Sequence, residues 1–429
     1  MLEQSLSDKA REIHEGYLNC EQYILAIPRF SKDKHSLHDL RRFLKRLDDP
    51  HQGRKIIHVA GTNGKGSVCA YLHAIFTASG ISTGLFTSPH LETMRERIKV
   101  NGRIAGEAEF VAAFAAVKEK TDDFHPTFFE FIFLIAMVIF AQEKVECLIL
   151  ETGLGGRLDA TNAIEEKNLA VITPVGYDHM ELLGTTLAEI AGEKAGIMRP
   201  GVPLVTACQS AEVACVLQRK ADEYDSPFAA INNRAIKINE ITLKTIDFSY
   251  QYRYDIIVRA KMPAKARYQV ENAALAIHSA LAFQDERISA VTVAAGLAGA
   301  VWPGRMEELG PGIIFDGAHN EEGILAFMEG AEGIPCRGKK YLLFAGVREK
   351  QSRRILDILS EKKIFAEIIA CPLQNRRSLT AAELLTFKLD ATFAGVESGL
   401  AYLIKEKKAD DLLFLTGSLY LYSEAKRLL

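Results

Sequence analysis

The feature that most constrains this chain is a short apolar run, Ile56-Ile57-His58-Val59, leading into Gly61-Thr62-Asn63-Gly64-Lys65-Gly66-Ser67. Beyond it Val68, Leu72, Ile75 and Phe76 recur at helical spacing until Gly80, which suits a helix C-terminus. A strand that turns through glycines into a helix is a phosphate cradle. Its backbone N–H groups and the helix N-terminus present partial positive charge, and Lys65 adds a full one. Glycine is needed where a side chain would hold the backbone away from phosphate. The run departs from the strict G-x-x-x-x-G-K-[ST] pattern, because Val59 stands at its first glycine and Gly66 separates Lys65 from Ser67. A glycine-rich surface turn with a solvated lysine is the bland alternative, but it leaves the flanking strand and helix unexplained. Asn63, Gly64, Lys65, Gly66 and Ser67 are therefore the expected nucleotide-phosphate contacts.

The remaining pattern is that of covered parallel strands. Val145–Leu150, Leu169–Thr173 and Val202–Thr206 are compact apolar runs separated by segments long enough for helices. Residues 1–53 read as a helical preface with helix formers around Leu37–Leu47, and the alternation of Phe248 to Tyr254 suggests an added antiparallel strand or hairpin. Trp302-Pro303-Gly304 breaks an alanine-rich helical segment, and strands alternate with helices afresh at Ile313–Phe315, Tyr341–Phe344, Phe365–Ala370 and Leu412–Leu415. The expected fold is α/β: a parallel-sheet domain with a P-loop over 1–300, a linker at 301–306, and a smaller Rossmann-like α/β domain over 307–429.

Composition excludes several classes. The formal charge of 52 − 55 = −3 offers no broad basic surface for nucleic acid or an acidic membrane, and Arg376-Arg377 reads as solvated surface. Seven cysteines without CxxC spacing point to free thiols in a reducing compartment, and the polar N-terminus has no apolar signal core. Phe128–Ala141 is strongly apolar but shorter than the roughly 20 residues a span needs, so it is a buried helix. A cytoplasmic protein, with no nucleic-acid or membrane partner, is expected.

Two acids stand out. Glu151 follows the Val145–Leu150 run at the carboxyl end of a parallel sheet, where such folds place their chemistry. Glu130 interrupts an apolar run, where an unpaired carboxylate would be costly, and so suggests a function.

A series of motifs in order carries a resemblance. His58 to Ser67, Thr87-Ser88-Pro89-His90-Leu91, Arg95-Glu96-Arg97-Ile98, the Glu151 to Asn162 run and Asp178-His179 lie in the first part. Glu193-Lys194-Ala195-Gly196-Ile197, Pro303-Gly304-Arg305, Asp316-Gly317-Ala318-His319-Asn320 and Thr416-Gly417-Ser418-Leu419-Tyr420 follow. Over roughly residues 40 to 425 the chain resembles the folylpolyglutamate synthase/dihydrofolate synthase family of the Mur ligase superfamily. It departs from the pattern at Glu321, where proline is usual, and in Gly346-Val347-Arg348-Glu349-Lys350.

The resemblance implies an ATP- and Mg²⁺-dependent ligase that adds L-glutamate to dihydropteroate or to reduced folates through an acyl phosphate; a monomer suits such a two-lobed enzyme. It assigns metal contact to Ser88, Glu151 and His179, and nucleotide contact to Asn272, Arg305 and Asp316. Lys65, Lys194 and His319 would be catalytic, Lys194 as a carbamylated N6-carboxylysine; its alternative role is an ion pair with Glu193 or Asp178. Thr127, Phe128, Phe129 and Glu130 with Leu158, Asp159 and Ala160 would hold the pterin, and Ser418 with His319 the incoming glutamate. Phe128 and Phe129 can equally be core residues. Competing functions are a muramyl-type ligase on a nucleotide-sugar acceptor and a nucleotide-hydrolysing binding switch; Gly66 after Lys65 weighs against the first.

Overall fold

The computed structural model describes residues 2–28, 36–121, 124–242, 244–253, 256–263, 266–348, 352–361, 363–387 and 389–429. Tyr254 and the Glu349-Lys350 pair named above lie outside them. The described chain parts into two compact units. The first comprises 1–235, 250–258 and 272–300; the second comprises 236–249, 259–271 and 301–429. The break at 300/301 coincides with the predicted linker, but 236–249 and 259–271, expected within the first domain, group with the second unit.

The first unit is built on an eight-stranded sheet. Its strands in chain order are β1 (Lys55–Ala60), β2 (Thr83–Phe86), β3 (Ile98–Val100), β4 (Arg103–Ile104), β5 (Cys147–Glu151), β6 (Leu169–Ile172), β7 (Leu204–Thr206) and β8 (Phe228–Ala230). They lie in the order β4-β3-β2-β5-β1-β6-β7-β8. The pairs of β1 with β5 and β6, and of β2 with β5, are parallel, whereas β3 pairs antiparallel with β2 and β4. The sheet is thus parallel with an antiparallel edge. The central strands are buried on both faces because every residue of Cys147–Glu151 and Leu169–Ile172 is covered.

The helix Phe128–Gln142 begins at Thr127, whose hydroxyl accepts from the Glu130 N–H. Its apolar residues pack all round into a cluster with Phe86, Phe110, Leu148 and Leu150, which is why the run is apolar on every face. No described helix is long and apolar enough to cross a membrane. The helix that follows the glycine loop, Lys65–Ala78, packs on Ala290–Gly299 at a close approach: a Cβ at Gly296 would strike the backbone of Ile75.

A three-stranded sheet follows in the chain, from β9 (Ile236–Ile241), β10 (Ile246–Arg253) and β11 (Ile256–Met262), in the order β11-β10-β9. Ile246, Phe248 and Tyr250 are buried at period two along β10, the alternation visible in the sequence. The second unit's main sheet has six strands, β12 (Glu307–Gly310), β13 (Ile313–Phe315), β14 (Lys340–Phe344), β15 (Glu367–Ala370), β16 (Ala391–Thr392) and β17 (Leu412–Thr416). Their order is β12-β13-β17-β14-β15-β16, parallel except where β12 meets β13. All seven cysteines are free thiols.

One buried group sets a pH response. His73 accepts from the Gly102 N–H at 2.8 Å and lies 2.9 Å from Thr83 Oγ1, and burial pushes its pKa down to about 3. Between that value and the ordinary 6.5 the unfolded chain holds a proton that the folded chain refuses. The neutral ring therefore contributes fully above pH 6.5, and its contribution is lost as pH falls toward 3, at up to about 1.4 kcal/mol per pH unit. His73→Gln keeps an acceptor for Gly102 and removes the titration. Denaturant unfolding from pH 6.5 to 4 is expected to show a slope shallower by about one proton in the variant; parallel slopes would contradict this.

Candidate active site

Three adjacent strand ends carry the expected residues of the first unit. Strand β1 lies between β5 and β6, so the glycine loop after Ala60 emerges between Glu151 at the end of β5 and Thr173 just past β6. Gly64 has φ +86°, and a Cβ there would run into Asn272 Oδ1, so glycine is required on two grounds. Asn272 is buried against the loop. The loop is anchored from several sides. Thr62 Oγ1 donates to Gly176 O and accepts from the Gly176 N–H, both at 3.0 Å. Lys65 Nζ donates to Gly61 O and Thr62 O at 3.1 Å each. Lys194 Nζ, on the helix Leu187–Ala195, donates to Gly61 O at 2.7 Å.

Lys194 is only 2% exposed and is bonded to the phosphate loop. Glu193 pairs with Arg157 at 2.8 Å, and Asp178 Oδ1 accepts from the His179 N–H. Of the three expected metal residues, two are joined, since the Ser88 N–H donates to Glu151 Oε2 at 2.9 Å. Glu151 is buried, while His179 is exposed in a left-handed turn at φ +47°. The donor set suits Mg²⁺. Among the described residues no three His, Cys, Asp or Glu side chains gather, and Mg²⁺ needs few protein ligands, so a site with one buried carboxylate would suit it. Ser67 Oγ is buried with no protein partner at the head of the loop helix, as a phosphate or cation contact would be.

The first segment expected to hold the pterin packs against the loop after β5. Phe129 lies so close over Gly153 that a Cβ there would strike its ring, and it also faces Phe86 at 5.5 Å. Arg97 holds its guanidinium 5.4 Å over Phe128 and donates to His90 Nδ1 at 2.9 Å. One expectation needs correction. The Glu130 carboxylate is not an unpaired buried charge: it is half-buried and accepts from the Thr127 N–H at 2.7 Å, closing a capping box. Asp159 is turned inward, accepting from the Leu154 and Thr161 N–H groups and the Thr161 hydroxyl, and burial raises its pKa. Its carboxylate orders the loop, leaving Leu158, 67% exposed, as the open face. Ala160 is buried. Behind the loop Asn162 accepts from Lys167 and Arg199 and donates to Arg157 O and Gly196 O, a brace for which the sequence offers no pattern.

In the second unit β13 and β17 are parallel neighbours, so their two motifs emerge side by side. Thr416 Oγ1 donates to Asp316 O at 2.9 Å and the Gly417 N–H to Ala318 O at 3.1 Å. Asp316 is buried, accepts from Tyr268 Oη at 2.5 Å and from the Met306 and Ala318 N–H groups, and has its pKa raised by burial despite Arg305 nearby. Tyr268 is a site neighbour that no motif announces. Half-buried His319 is 2.8 Å from Gly317 O, and buried Ser418 Oγ accepts from the Tyr420 N–H at 3.2 Å.

Comparison with known proteins agrees with this geometry. Residues 59–280 match the Mur ligase middle domain. The dihydrofolate synthase/folylpolyglutamate synthase of Bacillus subtilis is 32% identical over 410 residues, covering 92% of this chain and 95% of that one. The chain belongs to the folylpolyglutamate synthase/dihydrofolate synthase family. Folylpolyglutamate synthase of Mycobacterium tuberculosis, solved with ADP, superposes with a TM-score of 0.87 at 27% identity, over 97% of this chain and 98% of that one. E. coli FolC, solved with DHPP and ADP, gives 0.85 at 27% identity over 96% and 97%. As a member of this ligase family the chain is an enzyme, and the binding-switch alternative is set aside.

The loop geometry makes a direct prediction. Gly64→Ala must place a side chain at φ +86° against Asn272. A loss of about 1–3 kcal/mol of stability in denaturant unfolding is expected, with ADP binding weakened at least tenfold by calorimetry. Unchanged stability and ADP affinity would show that the loop is not built as described.

Proposed function

We propose that this chain uses ATP to join L-glutamate to dihydropteroate and to the glutamate tail of reduced folates, releasing ADP and phosphate. The observation that carries the proposal is the convergence of the glycine loop, Glu151 and the segment leading to His179 on adjacent strand ends, with the Phe129–Gly153 contact joined to the same β5 loop. The relatives solved with ADP and with DHPP support the same ligands here.

In this reading the loop N–H groups and Lys65 hold the ATP phosphates, and Asn272 closes over Gly64. A bound Mg²⁺, held by Ser88, Glu151 and His179, would neutralise phosphate charge during transfer. Phe128, Phe129 and Leu158 present apolar faces to the flat pterin ring. The acceptor carboxylate takes the γ-phosphoryl group and becomes an acyl phosphate; the α-amine of glutamate then attacks its carbonyl carbon, and phosphate leaves. Arg305 and Asp316 serve the nucleotide, and His319 and Ser418 the glutamate, from the paired loops of the second unit. Positioning and charge stabilisation suffice, so no nucleophilic side chain is required.

A carbamate on Lys194 fits this chemistry, because its remaining N–H can still donate to Gly61 O while the new carboxylate supplies oxygen to the cation's water shell. Lys194→Ala is expected to lower turnover at least a hundredfold, with partial recovery in added formate or acetate. Unreduced turnover would discard the carbamate.

The acyl phosphate is tested by positional isotope exchange in labelled ATP. Exchange that requires the folate acceptor but not glutamate is expected. No exchange under conditions where the released phosphate group rotates freely would rule out this route.

A further inference from the structure

Two threonines that none of the motif assignments uses lie on either side of the phosphate loop. Thr152 follows Glu151 at the end of β5 and gives its N–H to Val59 O at 2.9 Å. Thr173 follows β6 and gives its N–H to Ala60 O at 2.8 Å. Both therefore extend the strands flanking β1 by one residue, level with the start of the glycine turn. Both side chains are fully buried, and neither hydroxyl has a hydrogen-bond partner in the protein. The Thr173 hydroxyl fills the space that a Cβ on Gly61 would occupy, so it lies directly against the loop. The remaining polar groups there are committed. Gly61 O accepts from Lys65 and Lys194, and Thr173 O accepts from Gln209 Nε2 at 3.0 Å.

A buried hydroxyl without a partner costs free energy that valine, of the same shape, would not. A fold that keeps two of them beside a phosphate loop, together with the unpartnered Ser67 Oγ at the head of its helix, is holding polar groups for something that arrives later. We propose that Thr152 and Thr173 supply hydroxyl contacts to the phosphate end of the bound nucleotide and to the water shell of its cation. The inference rests on the nucleotide reading of the loop. A hydroxyl can donate to a phosphate oxygen or accept from metal-bound water, so the chemistry matches either neighbour. Structural threonines would instead be bonded within the fold, which these are not.

The test uses Thr152→Val, Thr173→Val and the matching serine variants of the full chain. Thermal unfolding is followed without ligand, and ADP binding by calorimetry with and without Mg²⁺. Each valine variant is expected to melt at the wild-type temperature or above it, because an unsatisfied hydroxyl has become a methyl group. Each is expected to bind ADP about tenfold more weakly, the loss of one hydrogen bond to a charged group, while the serine variants stay within about twofold of wild type. A loss confined to Mg²⁺-containing samples would place the contact on the cation's water. A loss in both would place it on phosphate oxygens. Valine variants that melt lower or fail to fold, or that bind ADP as well as wild type, overturn the inference. Wild-type protein that does not bind ADP overturns the nucleotide reading itself, a separate result.

Discussion

Two lysines share the carbonyl of Gly61. Lys194 reaches it from the helix Leu187–Ala195 at 2.7 Å, and Lys65 folds back to it from the first residue of the loop helix at 3.1 Å. Hydrogen bonds are stronger where water is excluded, and Lys194 is only 2% exposed. The two bonds hold the backbone where it leaves β1, with Gly61 at φ +153°, while the Thr62 and Asn63 N–H groups donate to Pro174 O. A cradle preset in this way need not be reorganised when phosphate arrives, which is the main source of electrostatic catalysis. The other loop contacts, Thr62 to Gly176 and Gly64 to Asn272, act on a turn already anchored at that carbonyl.

The sheet order then accounts for what lies beside the loop. With β1 between β5 and β6, the residues after each strand reach one edge: Glu151 and Thr152 on one side, Thr173 and the segment to His179 on the other. Crevices at such strand ends are where parallel α/β sheets bind ligands. The second unit repeats the device on a smaller scale, because parallel β13 and β17 deliver Asp316 and Ser418 to neighbouring loops that hydrogen-bond to each other.

Long, strongly patterned elements were legible in the amino-acid sequence. The strands around Ile56–Val59, Leu169–Thr173, Ile313–Phe315 and Leu412–Leu415 and the buried helix after Thr127 occur where composition and period place them. Strands of two to four residues, such as β3, β4 and β16, carry too few side chains for a period to show. Glu130 misled because a capping box looks, in one dimension, like a carboxylate stranded in an apolar run. The grouping of 236–249 and 259–271 with the second unit depends on tertiary contacts that local composition does not encode. At the site, Tyr268 meets Asp316 across 48 residues of chain, and the Thr152 and Thr173 hydroxyls are marked only by having no partner in the protein, so no local pattern shows them.

The central claim is that the loop's phosphate chemistry is coupled to amide formation. The most direct measurement is phosphate release from ATP by the purified full chain with dihydropteroate or tetrahydrofolate, each with and without L-glutamate. The account predicts that sustained release requires both an acceptor and glutamate, with one glutamyl bond formed for each phosphate. Release that ignores the acceptor, or proceeds equally without glutamate, would contradict it.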